Sequence, residues 1–235
     1  MRKWVFVHIP KTAGTSFQNA LREILGYDSV SPSFNASKLS EADAERLDQY
    51  KVISGHISMA DVTRYFPNRY ILTILRNPLE RCVSWYYFAR MTPPVVDTPS
   101  DVFAAQQNTI EAFFAQDERV IYRNIFNRQV RQLGDHVLNL DASHREALDR
   151  AKETLRSAAW VGRQERLAED IARLTNIFPE WAGLSLEKLN RTEGRASIDD
   201  LSADVINRIE SLNIYDNDLY AYAGQRIRFL GSMRT

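Results

Sequence analysis

Two stretches share one layout, and together they limit what the chain can fold into. WVFVHI, residues 4–9, is a short β-branched and aromatic run that ends in PKTAGTS, after which Phe17, Leu21 and Leu25 recur every four residues. YILTIL, residues 70–75, ends in Arg76-Asn77-Pro78 and continues as LERCVSWYYFAR. Each reads as a buried strand, a tight turn and a helix. Pro78 suits a first helical turn, where its missing N–H is not needed, and Gly26 suits the end of the first helix. Strands that feed helices in this way argue an α/β fold with a central, largely parallel sheet flanked by helices.

The remaining elements fit that frame. A helix is predicted within SEADAERLDQY, and a short strand from Lys51 to Ile53 leads into Gly55-His56. Helical periodicity runs from Ile110 to Arg131 and from Ser143 to Ser157, and Ala159–Gly162 reads as another strand. Helices are also predicted over Glu165–Ile177, Asp199–Leu212 and Tyr215–Arg226, so the C-terminal half is mostly helical. Residues 91–101 open with MTPPVVDTPS, which holds three of the eight prolines, and read as a mobile loop. GLSLEKLNRTEGRAS reads as a second loop.

Composition narrows the function classes. The 235 residues suffice for one sizeable domain spanning 1–235, and no stretch approaches the ~20 apolar residues of a spanning helix. Thirty basic residues balance thirty acidic ones, so no global field recruits nucleic acid or a membrane surface. The first residues are too soon interrupted for a signal peptide. Cys82, the only cysteine, excludes an intrachain disulfide and argues against a thiolate zinc site. A cytoplasmic protein is expected.

Anion binding must therefore come from local clusters. A helix N-terminus offers unpaired N–H groups and partial positive charge. At the first turn Gly14 permits close approach, Thr12, Thr15 and Ser16 add hydroxyls, and Lys11 adds a mobile charge. A plain strand–turn–helix with a capping hydroxyl is the alternative for this turn taken alone. At the second turn Arg76 stands at a strand's C-terminal end, where open α/β sheets bind ligands. Arg81 and Ser84 follow on the helix, three apart and so on one face. Two such turns in one sheet suit a ligand with two separate anionic groups.

On these residues the chain resembles the sulfotransferases that use 3′-phosphoadenosine 5′-phosphosulfate (PAPS) as donor and release 3′-phosphoadenosine 5′-phosphate (PAP). FVHIPKTAGTSF resembles their 5′-phosphosulfate loop, and ILRNPLERCVSWYY their 3′-phosphate segment, R-[DN]-P-x-x-R-x-x-S-x-[YF]. The nearest likeness is to the carbohydrate type, similar to heparan sulfate 2-O-sulfotransferase and its bacterial relatives. NRQVRQL, WVGRQERLAEDIARL and NIYDNDLYAYA extend it with less specific motifs. The resemblance implies a P-loop-like three-layer fold. It implies that Lys11 contacts the sulfuryl group and bridging oxygen, that Thr12, Gly14, Thr15 and Ser16 hold the 5′-phosphate, and that Arg76 and Ser84 hold the 3′-phosphate. Arg191 and Thr192, in the late loop, are implied nucleotide contacts. His8 departs from some animal relatives and is read as structural.

Sulfuryl transfer needs a base for the acceptor's proton. His56 follows a short strand, has Gly55 beside it, and corresponds to the Gly-His segment of the 2-O-sulfotransferase subgroup; it is the expected base, with Lys11 stabilising the leaving phosphate. His136 and His144 read as surface residues. Glu23 and Asp61, the carboxylate alternatives, read as exposed helix positions. Arg128 and Arg131 share a face, with Arg123 nearby, and are candidates for binding an acidic or polyhydroxylated sugar; a solvated basic face is the alternative. WYYF, residues 85–88, reads as helix core before an aromatic platform. No metal is expected. The rival functions are a nucleotide-dependent kinase on a P-loop-like scaffold, which lacks the Walker lysine position, and a non-catalytic nucleotide-binding module.

Overall fold

A computed structural model describes residues 2–35, 39–93, 95–135, 143–186 and 196–232. Among these, five strands form one sheet: β1 (Trp4–Val7), β2 (Phe34–Asn35), β3 (Val52–His56), β4 (Tyr70–Leu75) and β5 (Trp160–Arg163). Their order is β2-β3-β1-β4-β5, and every pairing is parallel. All of β1 and β5 is buried, as strands covered on both faces must be. The sequence reading passes over β2, because two residues carry no period. Gly55 admits it: a Cβ there would lie 2.8 Å from both the Phe34 ring and the Phe34 carbonyl oxygen.

The sheet is the middle of three layers. Val5, Val7, Ile53 and Leu75 pack on one face with α2 (Glu41–Asp48), α3 (Met59–Tyr65), α8 (Arg128–Leu133), α9 (His144–Ser157) and α12 (Ile214–Ser232). Trp4, Phe6, Leu72 and Ile74 pack on the other with α1 (Gly14–Leu25) and α10 (Leu167–Ile177). This alternation along each strand is the pleat expressed in side chains. A third apolar cluster joins α4 (Pro78–Met91), α5 (Ser100–Gln107), α6 (Ile110–Phe114), α7 (Glu118–Ile121) and α11 (Ala203–Leu212) through residues such as Trp85, Phe113 and Ile209.

Two expectations are corrected and one helix is added. The helix predicted from Ile110 to Arg131 is broken into α6, α7 and α8. Asp117 Oδ1 accepts from Arg119 N (2.8 Å) to start α7, and Asn127 takes a left-handed conformation (φ 41°) before α8. Apolar spacing survives such breaks, so periodicity alone misses them. The loop expected over 91–101 shortens to 92–99, because α4 runs to Met91 and α5 begins at Ser100. A further helix, α3, marked in the sequence only by Asp61, starts at Ser58, whose hydroxyl accepts from Asp61 N (3.1 Å). Among the described residues no helix is long and apolar enough to cross a membrane.

The strand order places the site. From β1 the chain departs toward the β3 side, and from β4 toward β5, so the connections reverse between β1 and β4. Open α/β sheets bind ligands outside the C-terminal strand ends at such a point. Lys11 follows β1 and Arg76 follows β4, one on each side of it.

Candidate active site

The β1–α1 turn is held in an uncommon conformation. Lys11 (φ 68°) and Ala13 (φ 66°) are both left-handed, at about 1–2 kcal/mol each for residues with a Cβ. Thr12 helps to impose this: it is fully buried and its Oγ1 donates to Ile9 O at 2.8 Å, so its hydroxyl faces the protein and its backbone faces the turn. Ala13 is the N-cap of α1 and provides no side-chain cap. Phe17 N–H bonds back to Ala13 O (3.1 Å), so the N–H groups of Gly14, Thr15 and Ser16 open at the helix mouth. Thr15 is exposed and Ser16 half-buried beside them. An uncapped helix mouth with flanking hydroxyls is a donor set suited to a tetrahedral oxyanion, not a capping hydroxyl's turn.

Arg76 is fixed from three directions. Gln129 accepts from Arg76 N (3.0 Å) and donates to Arg76 O (2.9 Å), clamping the backbone where β4 ends. The guanidinium donates to Lys11 O (3.1 Å) and to Glu80 Oε2 (3.0 Å). The two basic turns are thereby joined directly. Ser84 is buried two turns along α4. Arg81 does not share its role: it is fully buried and donates to Asn124 O (2.8 Å) and Ile125 O (3.0 Å), supporting the turn before α8. Lys11 Nζ lies 4.2 Å over the ring of Phe88, which is half exposed while Trp85 and Tyr86 enter the core.

His56 ends β3 one strand away. Its Nδ1 lies 2.7 Å from His8 O; a carbonyl only accepts, so Nδ1 carries the proton and Nε2 keeps a lone pair. The same carbonyl accepts from Gln132 Nε2 (2.9 Å), whose Oε1 accepts from Arg128 Nη2 (3.0 Å). Burial lowers the His56 pKa below 6.5, the His8 hydrogen bond opposes this, and the Arg128 charge lowers it further. The imidazole is therefore neutral at pH 7. His8 itself is deeply buried and pushed down to about 3 by burial, then by the charges of His56 and Lys11.

Other expected residues sit elsewhere. Arg131 is fully buried, with its guanidinium on Tyr122 O (2.7 Å) and Phe126 O (2.9 Å) and 3.6 Å above the Tyr122 ring. The shared basic face with Arg128 does not exist in solvent, because every residue of α8 is buried. Burial lowers Arg128 to about 9 and Arg131 to about 10. His144 is not a simple surface residue; it packs edge-on to Phe126 at 5.0 Å and stacks on Tyr215 at 6.1 Å. Asp61 is buried at the start of α3, where it accepts from Ser58, and Glu23 is exposed on α1. His136, Arg191 and Thr192 lie outside the described residues. Sequence reasoning missed Gln129 and Gln132, although the Asn-x-Gln-x-Arg-x-Leu pattern marked their segment. Depressions of 390 Å³ beside β2 and 520 Å³ between α3 and α9 reach none of Lys11, His56 or Arg76. Among the described residues no three His, Cys, Asp or Glu side chains converge as metal ligands.

The all-parallel α/β sheet thus sets an uncapped helix mouth after β1 and an arginine after β4, with a neutral imidazole at the end of β3. Residues 2–223 match the model of the sulfotransferase family, and the chain belongs to that family. Among solved structures it is similar to mouse sulfotransferase SULT7A1 complexed with PAP, at 14% identity and a TM-score of 0.44 over 92% of this chain and 64% of that one. The matched region is thus less than two thirds of the mouse protein. It is also similar to a sulfotransferase from Alicyclobacillus acidocaldarius, at 14% identity and a TM-score of 0.40 over 94% of this chain and 99% of that one. No curated protein sequence matches the chain.

Proposed function

We propose that the protein moves a sulfuryl group from PAPS to a hydroxyl of a carbohydrate or glycolipid acceptor, with His56 as general base and Lys11 stabilising the leaving phosphate. The observation that carries this reading is the 2.7 Å hydrogen bond between His56 Nδ1 and His8 O. It leaves Nε2 as the basic nitrogen of a neutral ring, next to the strand that feeds the anion-binding turn. The donor supplies an activated sulfuryl group on a phosphate that can leave. The N–H groups of Gly14, Thr15 and Ser16, the hydroxyls of Thr15 and Ser16, and the Thr12 backbone would hold its 5′ end. Arg76 and Ser84 would hold the 3′-phosphate, and Arg191 and Thr192 would contact the nucleotide.

His56 Nε2 takes the acceptor's hydroxyl proton as the new O–S bond forms. The electron pair of the broken O–S bond stays on the phosphate oxygen, where Lys11 offsets the developing charge. Arg128, buried with the rest of α8 and bonded to Arg123 O (3.3 Å) and Gln132 Oε1 (3.0 Å), would act on an acidic acceptor only through its charge.

The test is transfer of labelled sulfate from PAPS to the host's glycans, glycolipids and small metabolites, with wild type beside His56→Ala. Wild type is expected to label a carbohydrate, and His56→Ala to label nothing while binding PAP normally by calorimetry. Full transfer by His56→Ala removes the base assignment. Tighter, magnesium-dependent binding of ATP than of PAP would overturn the donor assignment in favour of a kinase.

A further inference from the structure

His8 is the unexplained residue of the site. It follows β1, and its backbone N–H continues the sheet by donating to Gly55 O at 2.9 Å. Its ring lies 4.4 Å from that of His56 and nearly parallel to Phe6 at 5.6 Å. Nδ1 is buried without a hydrogen-bond partner among the described residues. The ring also lies against the backbone of the anion-binding turn. A Cβ on Gly14 would come within 2.0 Å of His8 Cδ2 and 2.2 Å of Nε2. Gly14 is not left-handed in this structure, so the absence of a side chain there is explained by His8 and not by backbone conformation.

We propose that His8 is a positioning residue: its ring is wedged between Gly14 and His56 and sets the distance from the donor turn to the base. Gly14 and His8 are then one unit, and the glycine serves the histidine before it serves any phosphate. An imidazole suits the place because it is flat and, in this environment, uncharged. It therefore adds no third positive charge beside Lys11 and a His56 that has just taken a proton. The inference rests on His56 being the base, but the contact between positions 8 and 14 does not.

The experiment is a double-mutant cycle on the full chain with His8→Ala, Gly14→Ala and both together, reading PAP affinity by calorimetry, thermal unfolding, and kcat and KM separately. Gly14→Ala is expected to weaken PAP binding and lower the unfolding temperature. Adding His8→Ala is expected to restore both, because the ring that the new Cβ strikes is gone. His8→Ala alone is expected to lower kcat by about 100-fold with little change in KM for PAPS, the size of effect a misplacement of about 1 Å produces. Where His8→Ala folds poorly, His8→Asn replaces it in every arm. Equal loss in Gly14→Ala with and without His8 would show that the glycine serves the ligand, and would overturn the proposal. An unchanged kcat in folded His8→Ala would also overturn it, leaving His8 as core packing. If His56→Ala remains active while the cycle shows rescue, the base assignment fails and the coupling of positions 8 and 14 stands.

Discussion

His8 and His56 give the protein a defined acid sensitivity. An imidazole in the unfolded chain takes up a proton near pH 6.5, whereas folded His8 resists it to about 3. Below 6.5 the unfolded state therefore binds more protons, and stability falls as pH falls. The slope from this residue reaches about 1.4 kcal/mol per pH unit, and none of it remains above 6.5. His56, also lowered, acts with the same sign. Urea unfolding at pH 7, 6 and 5 should show the loss, and His8→Asn should flatten it. With His56 as the proposed base, activity should fall along an acid limb that lies below pH 6.5, where the imidazole becomes protonated; a limb centred above that value would contradict the neutral His56. Gln132 gives another test. Gln132→Leu removes one acceptor of the buried Arg128 guanidinium and one donor to His8 O, and should destabilise by about 2–3 kcal/mol in denaturant titration.

At the scale of elements, α8 and α12 start one another. Asn127 Oδ1 accepts from the N–H groups of Tyr215 and Asp216 (3.1 Å each), and Asp216 accepts from Gln129 N (3.1 Å) and Val130 N (2.7 Å). Asp216 is fully buried, and burial raises its pKa against the charges of Arg81 and Arg131. Asp216→Ala would strand two buried N–H groups and remove the negative charge nearest Arg81 and Arg131, for a loss of about 2–5 kcal/mol. Because α8 carries Gln129 and Gln132, the folded fraction should also turn over more slowly. Equal specific activity of folded Asp216→Ala and wild type would show that α8 does not depend on this cap. Such a six-residue helix was not legible in the sequence. The apolar positions from Ile110 to Arg131 kept a helical spacing, and nothing in that spacing reports that Asn127 turns left-handed. The burial of Arg81, read as sharing a face with Ser84, and of Arg131, read as a sugar-binding candidate, was hidden for the same reason: a guanidinium buried on carbonyl oxygens of a broken helix has no periodic signature.

Across the whole molecule, two apolar clusters cover the faces of the sheet and a third lies among α4, α5, α6, α7 and α11. The third is bound to the sheet by the site itself, since Arg76 and Asn77 lead into α4 and Asn127 meets α12. We expect residues 1–235 to unfold as one domain. Trp4, Trp160 and Trp181 belong to the sheet's cluster and Trp85 to the third. Fluorescence of wild type and of Trp85→Phe should therefore give the same midpoint as circular dichroism; a separate lower transition lost with Trp85 would show two units.

The sequence by itself determined the strand–turn–helix units, the parallel sheet and the two basic turns, because these depend on residues adjacent in the chain. It marked Lys11, Arg76 and His56 without showing how they meet. Only the tertiary structure decided that. The parallel register that sets Val7 opposite Gly55 brings His8 beside His56, 48 residues away, and makes the His8 carbonyl the partner of its ring. The same packing wedges the His8 ring against Gly14, brings Gln132 to that carbonyl across 124 residues and turns Arg131 inward. Strand register and side-chain burial are properties of neighbours in space, which the order of residues along a chain does not state.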